Sequence, residues 1–440
     1  MDSVKLPLNL AFTLSNNLFS STRYRHTHLA TMGSIGYLHS YVPETATPPA
    51  LDPSYLPSGN SEDLALVPAT ELERTQCWHI NLHAWRGPLS PAQYIQREAY
   101  LSCQPLVSDG KITFWILTLK NYHIADKASA RPILASCETL LKEAYVAQDG
   151  HLKPVLAHGI GSVYCRPEYR GKGYASRMMS ELGTQLGKLA WQQPKGVSGG
   201  YFSVLYSDIG QQFYAKHGWK PMSSTHISLA TVDQAAYDDT RQRLEFPPLE
   251  DLRTSDLEPI CQTAISQVED ELVSKSRDDL TKRPYVAICP DYKHMTWHFA
   301  REEYLAGTLY NSYPEVKGAV DRKTGCALIW CRVFRDTPER NGLDILKIVV
   351  PPAVQSTSDL DKSIAALLLR AQLEAKAWNM QAGVEVWSPN TLILRAAKML
   401  AKEEDVNVIS RKDDHICSLR WVGNEAEQVE WLSSEKYAWC

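Results

Sequence analysis

The sequence predicts an α/β (α+β) fold, a mixed twisted sheet flanked by helices, followed by a second unit of the same kind. Three observations predict it. An apolar run from Pro154 to Cys165 ends at Arg170-Gly-Lys-Gly-Tyr-Ala175, and Ala175, Met178, Met179, Leu182, Leu186, Leu189 and Ala190 then recur at helical spacing to about Trp191. Tyr201 to Tyr206 reads as a buried strand, Asp208 to Lys216 as a short helix stopped by Gly218, and Trp219 as the start of another strand. The third observation is a repeat of this order near the C-terminus. Gly325 to Phe334 and Leu343 to Val350 read as strands, Asp359 to Trp378 as a helix with one apolar stripe, and Val384 to Trp387 as a strand. Asn390 then caps a helix from Thr391 to Leu400.

From the N-terminus, Ser3 to Pro43 holds no acidic residue, while Lys5, Arg23 and Arg25 are basic. Residues 1–61 are expected to be a disordered or targeting extension and a linker, since Thr45 to Ser61 carries Pro48, Pro49, Pro53 and Pro57. Residues 62–230 form the first folded unit, 231–256 a connector with Pro247 and Pro248, and 257–440 the second unit. At 440 residues and 44% hydrophobic content the chain is long enough for more than one core. A net charge of −4 gives no electrostatic reason to expect nucleic acid, and no apolar run is long enough to span a bilayer. The 10 cysteines are scattered without ligand spacing, which predicts reduced thiols, no metal and a cytoplasmic setting, with the acid-poor N-terminus keeping a mitochondrial one open.

The loop from Arg170 through Gly171, Lys172, Gly173 and Tyr174 to Ala175 is expected to bind phosphate. Two glycines let a pyrophosphate approach the main chain, and the first helical turn supplies N–H donors without intrahelical partners at the positive end of the dipole. The extended stretch Val163-Tyr-Cys-Arg-Pro-Glu-Tyr-Arg-Gly-Lys-Gly-Tyr-Ala and the later Gln212-Phe-Tyr-Ala-Lys-His-Gly-Trp resemble the GNAT acetyltransferases. That resemblance implies acetyl-CoA as donor, held by the glycine loop and by main-chain groups of Val163, Tyr164 and Cys165 where two strands splay. It implies that Tyr214 returns a proton to the departing thiolate. Ser207 stands where many members have Asn, which leaves its contact to the pantetheine arm open.

Asn81-Leu-His-Ala-Trp-Arg-Gly-Pro-Leu-Ser, Gly159-Ile-Gly-Ser-Val and Ser203-Val-Leu-Tyr-Ser-Asp-Ile-Gly further resemble the fungal lysine N6-acetyltransferases of lysine catabolism. That narrower likeness implies L-lysine as acceptor. Other acceptors (a polyamine, an amino-sugar or a protein) and a non-catalytic acyl-CoA-binding module are the alternatives. A lysine amine is protonated near neutral pH, so a base is required; His158, before the loop, and Glu138, on the preceding segment, are the candidates. Trp85 and Arg86 lie in the region that borders the acceptor site in this family, where Arg86 is placed to grip a carboxylate. The remaining tryptophans, Trp78 and Trp297 among them, read as core.

The second unit lacks the chemistry. Pro351 and Pro352 stand where the first has its glycine loop and remove N–H donors, and Ala397 falls where Tyr214 stands. It is expected to be structural and to form a wall of the substrate pocket. The apolar tail from Glu430 is expected to fold back, bringing the Cys440 carboxylate into the cleft between the units as a base or an amine ligand.

Overall fold

The computed structural model describes residues 50–122, 130–188, 201–352, 357–401, 406–423 and 428–439. The expectations placed on the N-terminal extension before residue 50, and on Cys440, lie outside them. The first half begins with β1 (Leu64–Pro68), α1 (Glu71–Trp85) and α2 (Pro91–Leu101), and each helix opens with a reciprocal cap, Thr70 with Glu73 and Ser90 with Gln93. Then come β2 (Ile112–Leu119), β3 (Ala135–Gln148), β4 (His151–Cys165), α3 (Tyr174–Lys188), β5 (Tyr201–Ser207), α4 (Gln212–Ala215), β6 (Lys220–Pro221) and β7 (Thr225–Leu229). Helix α4 is shorter than expected. Ser207 turns the chain at the end of β5, its hydroxyl donating to Gly210 O at 2.6 Å, so no helix starts at Asp208.

The second half contains α5 (Gln234–Arg243), β8 (Glu250–Leu252), α6 (Leu257–Asp278), β9 (Tyr285–Ile288), α7 (Tyr292–Tyr310), β10 (Gly318–Val320), β11 (Ala327–Val333), β12 (Gly342–Val349), α8 (Thr357–Ala377), β13 (Val384–Trp387) and α9 (Thr391–Leu400). It ends with β14 (Ile409–Ser410), β15 (Ile416–Val422), β16 (Glu430–Trp431) and a tight turn at Lys436–Ala438. The expected connector therefore carries a helix and a strand. Asn390 caps α9 as expected, accepting from Ile393 N–H at 3.1 Å.

The strands form two sheets that exchange members. The nine-stranded sheet runs β1-β2-β3-β4-β5-β15-β6, with β9 and β16 continuing the edge of β3 beside β2. The seven-stranded sheet runs β14-β7-β13-β12-β11-β10-β8. β15 comes from the C-terminal half but pairs along β5 in the first sheet; β7 comes from the first half but pairs along β13 in the second. A boundary at residue 230 thus divides the sequence but not the sheets. In both sheets three antiparallel pairings are followed by one parallel pair, β4 with β5 and β12 with β13, and then by the exchanged strand.

This order buries the site-bearing strands from both sides. On one face α3 packs Met178, Met179, Leu182 and Leu186 onto Trp115, Cys137, Ile160 and Leu205. Glu181 of α3 also accepts from Leu66 N–H of β1 at 2.9 Å, fixing the helix across the sheet. On the other face α6 and α7 fill a core shared by the two sheets, with Val155, Ala157 and Val204 from the first and Ile329, Leu346 and Val349 from the second. Part of the charge buried there forms a compensated cluster. Glu302 lies between Lys317 (2.8 Å) and Arg332 (2.8 Å), and removing one member would leave an uncompensated buried charge.

Candidate active site

β4 and β5 run together only at His158–Ser203, Gly159–Val204 and Ile160–Leu205. Beyond Ile160 they diverge. On its other edge β4 bulges against β3, where Ser136 pairs Tyr164 but Glu138 pairs Gly161, and Ser162 takes φ +51°. A bulge sharpens local twist, which turns Val163, Tyr164 and Cys165 away from β5 and leaves that edge of their main chain without a strand partner. The cause is legible in Ser162: its hydroxyl donates to Glu138 Oε1 at 2.9 Å, anchoring an otherwise costly backbone conformation.

The glycine loop lies at the end of this strand. Gly171 and Gly173 have φ +80° and +88°, a region that L side chains rarely adopt, and a β-carbon at Gly171 would meet nothing within 4 Å. Arg177 N–H is bonded to Gly173 O (2.9 Å), so the N–H groups before it are the orphan donors of α3. These features fit an acyl-CoA pyrophosphate. Arg170 Nε donates to Cys165 O at 3.3 Å, tying the loop to the splayed strand. Cys165 is a poor nucleophile here, since burial pushes its thiol up to about 11.

Tyr214 is almost fully buried, packed edge-on against Phe213. Burial, reinforced by the Asp208 carboxylate, pushes its phenol well above the usual value, so it holds its proton at any physiological pH. His217 binds α4 to α3, taking Ser176 Oγ and Ser180 Oγ at 2.9 Å on its two ring nitrogens. Loop and phenol are thereby set on one rigid support.

A cleft opens on the opposite face of the sheet from α3. Glu138, Gly159 and Gly161 form its floor, and Trp78, Glu98, Phe114 and Trp297 are among its walls. Burial first, and then the like charge of Glu98, raises the Glu138 carboxyl to about 7. Glu98 pairs with Arg97, whose Nε and Nη2 donate to it at 2.8 and 2.6 Å. Arg97 in turn lies over the Tyr94 ring, and Tyr94 donates to Asn81 at 2.8 Å.

His158 is placed differently. Strand alternation puts it on the α3 face with Ile160, away from Glu138, and burial lowers its imidazole to about 4. Trp85 packs edge-on against Tyr164, but Arg86 donates to Leu89 O at 3.0 Å, and neither lines the cleft. Arg86 thereby holds its own turn. Ser207 is buried and committed to the turn at Gly210. Trp78 and Trp297, expected in the core, line the cleft; Trp297 on α7 means that the second half does supply a wall. Glu98 carries no motif signal, because it reaches Glu138 only through the packing of α2 against the sheet. The tail folds back as expected. Lys142 Nζ donates to Ala438 O at 2.6 Å, and Trp439 stacks on His298 beside Trp297. Cys289, Asp291 and Glu143 lie close enough to hold an ion, but Lys293 pairs with Glu143 at 3.5 Å and His294 with Asp291 at 2.8 Å.

Comparison with known proteins accords with this geometry. Residues 138–221 match the family profile of the acetyltransferase (GNAT) domain, and residues 226–440 that of the LYC1 GNAT-like C-terminal domain. An uncharacterized Saccharomyces cerevisiae protein is 23% identical over 410 residues, 87% of this chain and 99% of that one. A lysine acetyltransferase of Yarrowia lipolytica is 28% identical over 261 residues, 53% of this chain and 64% of its own. Among solved structures, a GCN5-related N-acetyltransferase from Kribbella flavida superposes with a TM-score of 0.45 at 16% identity, covering 81% of this chain and 70% of the other. With GNAT profiles matched on both sides of the strand exchange, the chain belongs to the GNAT acetyltransferases and is an acyltransferase built from two GNAT-type domains.

Proposed function

We propose that the chain transfers the acetyl group of acetyl-CoA to the side-chain amine of L-lysine, giving N6-acetyl-L-lysine and CoA. The observation that carries the proposal is Glu138, a carboxyl raised to about 7 on the floor of a partly aromatic cleft, next to the bulge that opens the β4 edge. A base poised near neutral pH suits an acceptor that arrives as an ammonium. Glu138 takes one proton of the ammonium, the freed amine attacks the thioester carbon, and the adduct expels the CoA thiolate while its nitrogen loses a second proton, which restores the phenol that protonates sulfur. Tyr214, held protonated, returns a proton to sulfur. The Gly171–Gly173 loop and the α3 N-terminus hold the pyrophosphate, and the β4 edge at Val163–Cys165 pairs with the pantetheine amides.

The acidic pair Glu98–Glu138 and the rings of Trp78, Phe114 and Trp297 favour a cationic, aliphatic acceptor. The lysine assignment draws on the Yarrowia lipolytica relative, and the second-half wall is a proposed part of acceptor selection. Thiol release from acetyl-CoA with L-lysine, followed by mass analysis of the product, tests the reading. N6-acetyl-L-lysine is the expected product. Acetylation of the α-nitrogen, or turnover only with a polyamine, amino-sugar or protein, rejects the acceptor; no CoA release with any amine rejects the enzyme reading.

A further inference from the structure

Residues 51–61 do not behave as the linker that their prolines predict. They cross the outer side of the glycine loop. Gly59 N–H donates to Lys172 O at 2.7 Å, Lys172 Nζ donates to Pro53 O, Tyr174 OH donates to Pro57 O at 2.6 Å, and Leu51 N–H donates to Tyr169 OH at 2.8 Å. Leu56 is buried in the same core as Tyr169, Tyr174 and Met178. The fit at Gly59 is close: a β-carbon there would lie 2.6 Å from Gly173 C and 2.7 Å from Lys172 O, both backbone atoms that cannot swing aside.

The peptide unit between Lys172 and Gly173 is planar and trans, so its C=O and N–H point in opposite directions. Fixing Lys172 O on Gly59 therefore aims Gly173 N–H away from the strap. Gly171, where an added β-carbon would meet nothing, lies in the same loop. We infer that the 51–61 strap is a positioning element for the acyl donor, with Gly59 orienting the Lys172–Gly173 peptide so that its N–H faces a diphosphate. The inference rests on the reading of residues 170–175 as the donor loop. Lys172, tied to Pro53 O, is held by the same strap, so its ammonium adds charge at a fixed place instead of sweeping through solvent. By linkage, a donor that favours the aimed loop must also favour the docked strap.

The test uses the full chain. Gly59→Ala is expected to raise the dissociation constant and KM for acetyl-CoA about tenfold, the scale of one well-placed hydrogen bond to an anion, with kcat within about twofold. A structural defect would lower both kcat and the melting temperature. In the unsubstituted chain, CoA is expected to slow hydrogen exchange at the Gly59 amide, which guards against a variant that fails to fold. Unchanged donor affinity in Gly59→Ala, or no protection of Gly59 by CoA, overturns the inference while leaving the donor reading intact. An unsubstituted chain that binds neither acetyl-CoA nor CoA overturns the donor reading and the inference together.

Discussion

β4 and β5 in the first sheet, and β12 and β13 in the second, each run parallel for three paired residues and then part beside a bulge on the neighbouring antiparallel ladder. Past the parting the two pairs differ. Along β4 the next residues lead to glycines at positive φ and the N-terminus of α3. Along β12 the main chain is already taken: Ile348 N–H donates to Glu435 at 3.2 Å and Val350 N–H to Gln267 at 2.9 Å. Glu435 also pairs with the buried Lys347, and Ser388 at the end of β13 donates to Ser434 O at 3.1 Å. After β12 come Pro351 and Pro352, with no N–H to offer. Two clefts of one design thus have different fates. In the first the β4 edge past the parting has no strand partner, and in the second the N–H groups are bonded to Glu435 of the tail and to Gln267 of α6.

That same tail continues to Ala438 and Trp439 beside the first cleft. Lys436 lies between the Trp387 and Trp439 rings, at 4.3 and 4.4 Å from their centroids, and pairs with buried Asp344 at 3.2 Å. The plug in one half is therefore covalently continuous with a wall of the other.

The largest break in the comparison comes from removing the proposed base of the first cleft. Glu138→Gln is expected to lower kcat by about 10²–10⁴-fold and to abolish the rise in rate through pH 7 expected of the unsubstituted enzyme as Glu138 deprotonates. The sign for stability is opposite. The folded carboxyl lies above its unfolded value, so its contribution is complete below pH 4.5 and lost as pH rises through about 7. Glu138→Gln is therefore expected to melt at or above the unsubstituted chain at about pH 8, as read by circular dichroism. A lower melting temperature there would make Glu138 a structural group.

Tyr214→Phe is a smaller break, about 10–100-fold in kcat with KM for acetyl-CoA unchanged, because a thiolate leaves readily even without prompt protonation. Gly173→Asp makes the first loop as hostile to phosphate as the proline loop, through a strained φ of +88° and a like charge. It is expected to raise KM for acetyl-CoA about tenfold or more in steady-state kinetics. The smallest effect sharpens the comparison from the other side. Glu435→Gln leaves Lys347 buried without its anion and is expected to cost about 1–3 kcal/mol of stability by denaturant titration, without altering donor affinity.

Much of the first cleft is legible in sequence because its parts are local. Arg170–Ala175, the strand before it and the Tyr214 helix are each short runs whose geometry follows from glycine, periodicity and caps. The run β11, β12, α8, β13 and α9 of the second half is readable for the same reason. The exchange of β7 and β15 is not, since a strand's propensity does not name its partner across about two hundred residues. Gly59 reads as linker because prolines signal extension, and nothing in its own segment announces the Lys172 carbonyl it meets. Glu98 and Trp297 join Glu138 only through helix packing, and the bond from the Arg86 guanidinium to Leu89 O has no signal in the sequence.

The claim that two like clefts have one donor site between them is tested most directly by calorimetric titration of the full chain with acetyl-CoA, or CoA. The expected stoichiometry is one per chain, with that binding weakened by Gly173→Asp and untouched by Glu435→Gln. Two molecules per chain, or a single site indifferent to Gly173→Asp, would contradict it.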